Sequence, residues 1–384
     1  MYFKEIEIRN FRNYEYCKET FHPAINIFIG ENGQGKTSLA EALYIMCLGR
    51  SFRTQKDREM IRFGEETAVV RTTVFKNERN VRTEIILNRN DKKKVKINGI
   101  RKKTVDLAGH ILVVEFSPDD LKILKEEPDK RRRFLNREIS KLYPGYYEDL
   151  AIYTKIIAQR NTLLKEGTAD PSLMNVWNEE LIQYGVRLII RRKEFIDQLG
   201  GISSRIHSEI TEGKENLQIG YDASIPYDED PEIIAKAFRE KLEASRETDR
   251  TRGITSCGPH RDDLKVTVNG IDVRRFGSQG QQRTAAIAMK LAEITLMEKE
   301  SGEKPVLILD DALSELDRKR QKYLIEALTG TQIFLTAATV SDDLLSQFPE
   351  KKIFEIRGGN ILPYNEQNKK TNPEKKNAPG FFAE

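Results

Sequence analysis

The sequence is poor in the residues that build disulfide frameworks and zinc sites. It has only three cysteines, Cys17, Cys47 and Cys257, and four histidines. The cysteines form no CxxC pair and the histidines are widely scattered, whereas a disulfide scaffold or a zinc module requires close, regular spacings. We therefore expect three reduced thiols and no zinc site.

Long apolar runs are also missing. No stretch of about 18 uncharged apolar residues occurs, and the mean hydropathy is -0.58. The opening segment MYFKEIEIRNF has the pattern of a strand rather than that of a signal peptide. These features argue against a membrane span and predict a cytoplasmic protein.

A large net charge of one sign is likewise absent. The 64 Lys and Arg residues against 60 Asp and Glu residues leave a net charge of +4. The overall charge therefore does not identify a nucleic-acid binder, and such a function has to rest on local basic clusters. Clusters do occur, but a basic run of this size is more commonly a solvated face than a phosphate contact.

Two segments far apart in the chain carry the chemistry. The first, GENGQGKT at residues 30–37, matches the phosphate-binding pattern G-x-x-x-x-G-K-[ST]. An apolar run at 25–29 precedes it and an apolar helical run at 38–48 follows it, so an ordinary glycine-rich turn is the weaker interpretation. Backbone N–H groups of such a loop surround phosphates, while Lys36 reaches the outer phosphates and Thr37 offers a hydroxyl to Mg²⁺. The predicted loop residues are Gly30, Glu31, Asn32, Gly33, Gln34, Gly35, Lys36, Thr37 and Ser38.

The second segment, VLILDDALSELD at residues 306–317, is an apolar strand that ends in two carboxylates. Asp310 is placed to sit beside the Mg²⁺, and Asp311 to orient the water that attacks the γ-phosphate. The two segments together predict ATP and Mg²⁺ as ligands. Lys36 and Asp311 are the catalytic candidates, and Thr37 and Asp310 are the metal-ligand candidates.

The chain is long enough for two domains. Apolar runs predict an α/β nucleotide fold with a mixed sheet, built from residues 1–120 and 255–362 and split by an inserted helical domain at 121–254. We expect a helix to begin near Leu121, because the preceding serine and aspartates can cap it. The polar, lysine-rich tail at 363–384 lacks periodicity and is expected to be disordered.

A nucleotide fold divided in this way resembles the ABC-type ATPase heads of the SMC and Rad50 class. In the place of their serine-led signature turn stands FGSQGQQRT, with Ser278, Gln279, Gly280 and Gln281. The resemblance implies that this turn binds the γ-phosphate held by another subunit; the alternative is a capped, Gln-rich helix start. It also implies that Arg12 and Asn13 in IRNFRNYE lie near the nucleotide, and that residues 314–317 form a loop that crosses between subunits.

Size separates the members of this class, because SMC and Rad50 proteins insert far longer coiled coils. The segments NFRNY, GRSFRT, FSPDDL, PDKRRRFLN, CGPHRDDL and GSQGQQRT resemble the RecF family of bacterial gap-repair proteins. That resemblance implies an ATP-driven homodimer that clamps DNA at single-strand gaps, a weak DNA-stimulated ATPase, the partners RecO and RecR, and a role in RecA loading and SOS induction. The DNA-contact candidates are Arg50, Arg53, Lys56 and Arg58, followed by Lys130, Arg131, Arg132 and Arg133.

The sequence departs from the family pattern in several places. Thr336, Ala337 and Ala338 occupy the place of the switch histidine found in many ABC heads, and no glutamine of a Q-loop is evident near residues 115–118. Asp311 stands where ABC transporters usually have a glutamate, and its shorter side chain must position the water, which predicts slow hydrolysis. A clamp that binds ATP without turnover is the main alternative, and an ATPase subunit of a transporter is a weaker one. For His260, without an evident nucleophile or metal partner, we expect a structural role.

Overall fold

The computed structural model describes residues 1–166, 171–328, 330–340, 345–346 and 348–364. The expected disordered tail therefore lies outside the described residues, apart from residues 363 and 364. Within the described part of the chain, no helix combines the length and apolar character that a membrane crossing requires.

Strands predominate in the first part of the chain and helices in its middle part. The strands are β1 (Tyr2–Phe11), β2 (Tyr14–Thr20), β3 (Ile25–Ile29), β4 (Thr67–Lys76), β5 (Arg79–Asn88), β6 (Lys94–Ile97), β7 (Ile100–Lys102), β8 (Val113–Phe116), β9 (Leu217–Asp222), β10 (Asp263–Val268), β11 (Ile271–Asp272), β12 (Val306–Asp310), β13 (Ile333–Ala337), β14 (Lys351–Arg357) and β15 (Asn360–Pro363). The helices are α1 (Lys36–Leu48), α2 (Pro128–Leu142), α3 (Pro144–Glu166), α4 (Pro171–Ile210), α5 (Pro231–Ala244), α6 (Arg246–Arg252), α7 (Val273–Phe276), α8 (Gln279–Ser301) and α9 (Arg318–Ala327).

Both ends of the chain contribute to the sheet that carries the phosphate loop. Its strand order is β15-β14-β3-β13-β12-β8, and β3 pairs in parallel with β13 and β14. The strand β12 is buried at every position, as is typical of a parallel strand covered on both faces. The predicted sheet shared between the two ends of the chain is thus confirmed.

A second, antiparallel sheet has the strand order β2-β1-β4-β5-β6-β7 and forms a strand-rich lobe. In β1, Phe3, Ile6 and Ile8 are buried, so one face of the sheet packs inward. A turn at Asn98-Gly99 joins β6 to β7, with φ of 51° and 80°, the left-handed conformation that a two-residue type I′ hairpin turn demands. Helix α1 lies between the two sheets, and its apolar side chains are buried almost without exception.

The inserted segment is largely helical, as predicted, but the prediction of a helix beginning near Leu121 was wrong. Residues 120–122 form only a short 3-10 turn, although the Asp120 carboxylate accepts from the Ser117 N–H (2.9 Å). Helix α2 begins at Pro128, because a proline disfavours the helical conformation in the residue before it, and Glu127 is accordingly extended (φ −64°, ψ 155°). The insertion also contains the unpredicted strand β9, which pairs antiparallel with β10 across the expected boundary at residue 254. The division into head and arm remains a proposal.

Candidate functional site

The phosphate loop and the strand with the two carboxylates meet at the carboxyl ends of β3 and β12. The Thr37 hydroxyl donates a hydrogen bond to Asp310 Oδ1 at 3.1 Å, although the two residues are 273 positions apart. Thr336, on the intervening strand β13, donates to the same oxygen at 2.6 Å. A hydroxyl and a carboxylate are thereby fixed side by side, in the combination that holds Mg²⁺ in phosphate-loop enzymes.

Lys36 lies in the centre of the phosphate loop and is almost fully buried. Its ammonium donates to the carbonyl oxygens of Gly30 (2.7 Å) and Glu31 (3.1 Å). Because these acceptors are neutral, they orient the ammonium without cancelling its charge. The loop is therefore set up to attract an anion.

Two glycines of the loop, Gly33 and Gly35, have backbone conformations that other residues rarely adopt. Gly33 has φ 82°, and a Cβ built there meets no atom within 4 Å, so this part of the loop is open. Gly35 has φ 122°, and its Cβ would lie 2.6 Å from Asn13 Nδ2. Asn13 itself donates to Gln34 O at 2.9 Å, while its Oδ1 is buried and has no hydrogen-bond partner among the described residues.

A buried carboxylate, Glu41, organises the wall opposite the loop. It accepts from Arg12 Nε (2.7 Å) and Nη2 (2.6 Å) and from Arg53 Nη1 (3.3 Å), and also from the Ser51 hydroxyl. Arg12 additionally donates to Glu59 O at 2.5 Å. Sequence reasoning placed Arg12 near the nucleotide but missed Glu41, whose only signal was one charge within the apolar helix run SLAEALYIMCL.

These elements surround a cavity of about 820 Å³. Nine residues that the sequence predicted for the nucleotide site line this cavity: Arg12, Asn13, Asn32, Gly33, Gly35, Lys36, Thr37, Ser38 and Asp311. Of the residues predicted to contact DNA, Arg53 and Arg58 also line the cavity. The other two are engaged elsewhere: the Arg50 guanidinium lies 4.8 Å from the centre of the Tyr147 ring, and the Lys56 ammonium lies 3.6 Å from the Glu59 carboxylate. The volume is in the range of small-molecule sites, and the basic wall suits a polyphosphate.

Asp311 stands at the edge of this cavity in a left-handed conformation with φ 52°. Its N–H donates to the carbonyl (3.2 Å) and the hydroxyl (3.1 Å) of Thr336. Burial raises the pKa of Asp311, Lys36 opposes this shift and Asp310 adds to it. Thr336 thus contacts both aspartates, the carboxylate of Asp310 and the backbone of Asp311.

The signature-like turn lies at a different cavity of about 380 Å³. Ser278 Oγ accepts from the Gln281 N–H (3.2 Å), and Gln281 Oε1 accepts from the Ser278 N–H (3.0 Å), so the two residues form a capping box. Gln279 is the first residue of α8, and Gln281 Nε2 donates to Glu215 Oε1 at 2.9 Å. Among the described residues, none of Ser278, Gln279, Gly280 and Gln281 lines the phosphate-loop cavity of its own chain.

The second group of predicted DNA contacts, residues 130–133, contains one residue that is too buried to reach DNA. Arg131 is 2% exposed and makes a bidentate ion pair with Asp263 (2.7 and 2.6 Å), so this prediction was wrong. Arg132 donates to Asp262 O at 2.8 Å, Lys130 pairs with Glu126 at 2.9 Å, and Arg133 is exposed. Lys130 and Arg133 are therefore the stronger candidates within this run.

His260 is bound through both ring nitrogens. Nε2 donates to Thr255 O at 2.9 Å, which leaves Nδ1 to accept from the Tyr153 hydroxyl at 2.8 Å. Burial lowers the pKa of His260 to about 4, with further lowering by the nearby arginines. A neutral imidazole that links α3 to the segment after α6 supports a structural role.

Replacing Glu41 by Gln should loosen the cavity wall, because Arg12 and Arg53 would lose the anion between them. We expect the free energy of unfolding to fall by about 1.5–3 kcal/mol, the usual value of hydrogen bonds to a charged group, and ATP binding to weaken about tenfold. Urea unfolding without nucleotide and calorimetric titration with ATP measure the two effects. Glu15→Gln, at an exposed surface position, is the matched control; equal behaviour of both variants would contradict this role.

Comparisons with known proteins agree with this geometry. The family model for the RecF/RecN/SMC N-terminal domain matches residues 2–352. A DNA replication and repair protein RecF of Alkaliphilus oremlandii is 42% identical over 365 residues, covering 94% of this chain and 100% of that protein. The protein of the same name from Halothermothrix orenii is 42% identical over 373 residues, covering 95% and 99%.

Solved structures give the same result. The recombination mediator protein RecF-ATP of the RecFOR pathway matches with a TM-score of 0.88 and 37% identity, covering 95% of this chain and 98% of that one. The Smc head domain with a coiled coil and joint from Pyrococcus yayanosii matches with a TM-score of 0.53 at 12% identity, over 95% and 98%. The second likeness shows the fold alone. The predicted α/β head fold is confirmed.

Proposed function

Because this chain belongs to the RecF family of the RecF/RecN/SMC proteins, we propose that it is an ATP-dependent DNA-binding protein of DNA replication and repair. The observation that carries the proposal is the contact of Thr37 with Asp310 at 3.1 Å, which joins the phosphate loop to the strand with the two carboxylates. The names of the relatives and the RecF-ATP structure support it.

The residues of the cavity fit ATP with Mg²⁺. The N–H groups of the loop and Lys36 would hold the phosphates, and Thr37 and Asp310 would hold the metal ion, which supplies positive charge to the phosphate oxygens. The unpartnered Asn13 Oδ1 can accept from a nucleotide hydroxyl or amine. Asp311, whose pKa is raised by burial, can orient a water and accept its proton.

We infer that two copies close head to head around ATP. The Ser278 hydroxyl and the first N–H groups of the 23-residue helix α8 offer hydrogen-bond donors to an anion. They lie apart from the phosphate-loop cavity of their own chain, so a second copy is the natural source of that anion. ATP would then stabilise the closed dimer to the extent that it binds the closed dimer more tightly than the separate copies.

DNA binding in this proposal depends on exposed basic side chains acting together in the closed dimer. The candidates are Lys130 and Arg133 in the inserted segment, and Arg50 and Lys56 in the head. Contacts to DNA phosphates do not depend on the base sequence, and they weaken as the salt concentration rises. Within the cell we propose a cytoplasmic role at single-strand gaps, with RecO and RecR as partners, in RecA loading and SOS induction.

A clamp that binds ATP without turnover is the second candidate. Asp311 favours it, because an aspartate is one methylene shorter than the glutamate usual in ABC ATPases and reaches less far toward a water. Turnover stimulated by DNA would separate a slow ATPase from this clamp. The transporter alternative is set aside, because the family match runs along most of the chain.

The first test is the affinity of the full chain for a fluorescent duplex with a single-stranded gap. Fluorescence anisotropy should be measured at fixed salt with ATP, ADP or no nucleotide. We expect binding at least about tenfold tighter with ATP, because two basic surfaces act together only in the closed dimer. Raising salt should weaken the ATP-dependent binding steeply.

The control is Lys36→Met, which should respond to none of the nucleotides. Wild-type binding that is the same in all three conditions would contradict an ATP-closed DNA clamp. Absent DNA binding, together with normal ATP binding, would point to a protein partner instead.

A further inference from the structure

Seven ionisable side chains lie together in the interior, where β8, α2 and α8 meet. Four are carboxylates: Glu115, Asp120, Glu138 and Glu293. Three are cations: Arg137, Lys141 and Lys290. Six of the seven are nearly or fully buried, and Arg137 keeps 24% of its side chain exposed. These residues, called here the interior charge cluster, lie outside both the phosphate-loop cavity and the basic runs proposed for DNA.

Each cation of the cluster already binds a carboxylate. Lys141 Nζ donates to Glu138 Oε2 at 2.6 Å, and Arg137 Nε donates to Glu138 Oε1 at 2.7 Å. Lys290 Nζ donates to Glu293 Oε2 at 2.9 Å. Four carboxylates therefore share three cations, and full ionisation would leave one negative charge unbalanced in a buried site, which is costly.

Two carboxylate oxygens show where the excess charge falls. Glu115 Oε1 and Glu293 Oε1 are buried and have no hydrogen-bond partner among the described residues. A buried carboxyl avoids the cost of an unpaired charge by binding a proton. Burial accordingly raises the pKa of Glu115 to about 7 and that of Glu293 to about 8. The nearby carboxylates, Asp120 beside Glu115 and Glu138 beside Glu293, add to these two shifts.

The other elements that pack against these glutamates leave the balance unchanged. From α1, Tyr44 and Cys47 face the cluster, and burial raises the pKa of both, which keeps them neutral. The buried titratable side chains in the described part of α4, Arg192 and His207, lie against carboxylates outside the cluster. The proton balance is thus decided within the cluster.

We propose that the interior charge cluster is a proton-dependent joint between the sheet of the phosphate loop and helix α8, in which Glu115 and Glu293 share one exchangeable proton. Glu115 is on β8, which pairs with β12, the strand that ends in Asp310. Glu293 is on α8, which begins directly after Ser278. Loss of the proton leaves an unbalanced negative charge, and repulsion between the carboxylates then loosens α8 against β8 and α2.

The raised pKa values set the direction of the pH effect. The folded chain holds this proton more tightly than the unfolded chain, in which a glutamate titrates near about pH 4.3. The stabilisation is therefore complete below that pH and is lost as the pH rises through about 7 and 8. Between about pH 6 and about pH 9, the unfolding equilibrium constant should rise about ten- to a hundredfold through this proton alone.

Urea unfolding of the full chain across this pH range, without nucleotide or DNA, is the first test. Either Glu115→Gln or Glu293→Gln leaves three carboxylates against three cations, so each variant alone should remove this part of the pH dependence. Glu298→Gln, at an exposed position on the same helix, is the matched control and should keep the pH dependence of the wild type. The wild-type pH dependence in both cluster variants would overturn the proposal.

Hydrogen exchange of the wild-type chain tests the joint itself. Protection of the α8 amides should fall between about pH 6.5 and about pH 8.5, after correction for the intrinsic effect of pH, while protection of β4 and β5 stays constant. Equal changes in all three elements would contradict a loosening of α8. Neither measurement involves ATP, so failure of the joint is distinguishable from failure of the proposed function.

Infrared spectroscopy keeps the proposal testable if a glutamine variant fails to fold. At about pH 6 exposed carboxyls are ionised, so a remaining band of a protonated carboxyl reports the buried proton, and this band should disappear by about pH 9. Asp311→Asn is the background for this measurement, because the pKa of Asp311 is also raised by burial. Absence of the band at about pH 6 would show that the cluster holds no proton.

Discussion

Replacing Lys36 by Met is expected to lower ATP affinity about 10- to 100-fold, because a charged hydrogen bond of roughly 1.5–3 kcal/mol is lost. Hydrolysis should fall further, since the ammonium also offsets charge that develops on the transferred phosphate. Met keeps the length and apolar stem of the side chain and removes only the charge. Calorimetric titration with ATP and release of phosphate from ATP measure the two losses.

The same variant also loses the bonds from the ammonium to the carbonyl oxygens of Gly30 and Glu31. Thermal unfolding without nucleotide must therefore be compared, so that a loosened loop is not mistaken for a lost phosphate contact. Lys36→Arg keeps the charge but not the shape, and should still bind ATP poorly because a guanidinium fits this tight loop badly. Lys122→Met, at an exposed lysine, is the control. Wild-type affinity in Lys36→Met would refute the assigned role.

The phosphate loop was predictable because its information is local. An apolar strand, a glycine pattern and an apolar helix follow within a few residues, and the structure has β3, the loop and α1 in that order. The sheet that joins the two ends of the chain was also predictable, since buried apolar strands such as β12 and β13 pair with others of their kind.

Side-chain contacts between residues far apart in the chain were harder to predict from the sequence. The four consecutive basic residues from Lys130 to Arg133 look equivalent in sequence, yet Arg131 is buried against Asp263, 132 positions away, while Arg133 is exposed. Which of them turns inward depends on β10, which carries Asp263, packs against α2 and pairs with β9. The missing prediction of β9 and the wrong assignment of Arg131 thus have related causes.

Glu41 shows the same limit at the nucleotide site. It is four residues after Thr37 on α1, so the two side chains lie on one face of the helix. That spacing is visible in the sequence, but the guanidinium groups of Arg12 and Arg53 that Glu41 binds come from other elements. One helix thereby places both the candidate metal ligand and the carboxylate that orients the basic wall.

Asp311→Asn is expected to reduce ATP hydrolysis about 10²- to 10⁴-fold, the usual contribution of a positioned base, while leaving ATP binding close to normal. Asn suits this position because Asp311 has φ 52°, a conformation that Asn tolerates better than most residues. The backbone bonds to Thr336 are then kept, and the amide cannot accept a proton from water.

Loss of hydrolysis without loss of binding should trap the closed dimer. Size-exclusion chromatography with light scattering, in saturating ATP and Mg²⁺, should show a dimer that outlives that of the wild type, and anisotropy should show slower release of gapped DNA. Asp119→Asn, at a highly exposed carboxylate, should behave as the wild type. A monomeric Asp311→Asn variant in saturating ATP would refute the clamp, whereas unchanged hydrolysis would show that another group orients the water. Since Asp311 and Ser278 lie at separate cavities of one chain, a long-lived dimer would also support the inference that the composite site needs two copies.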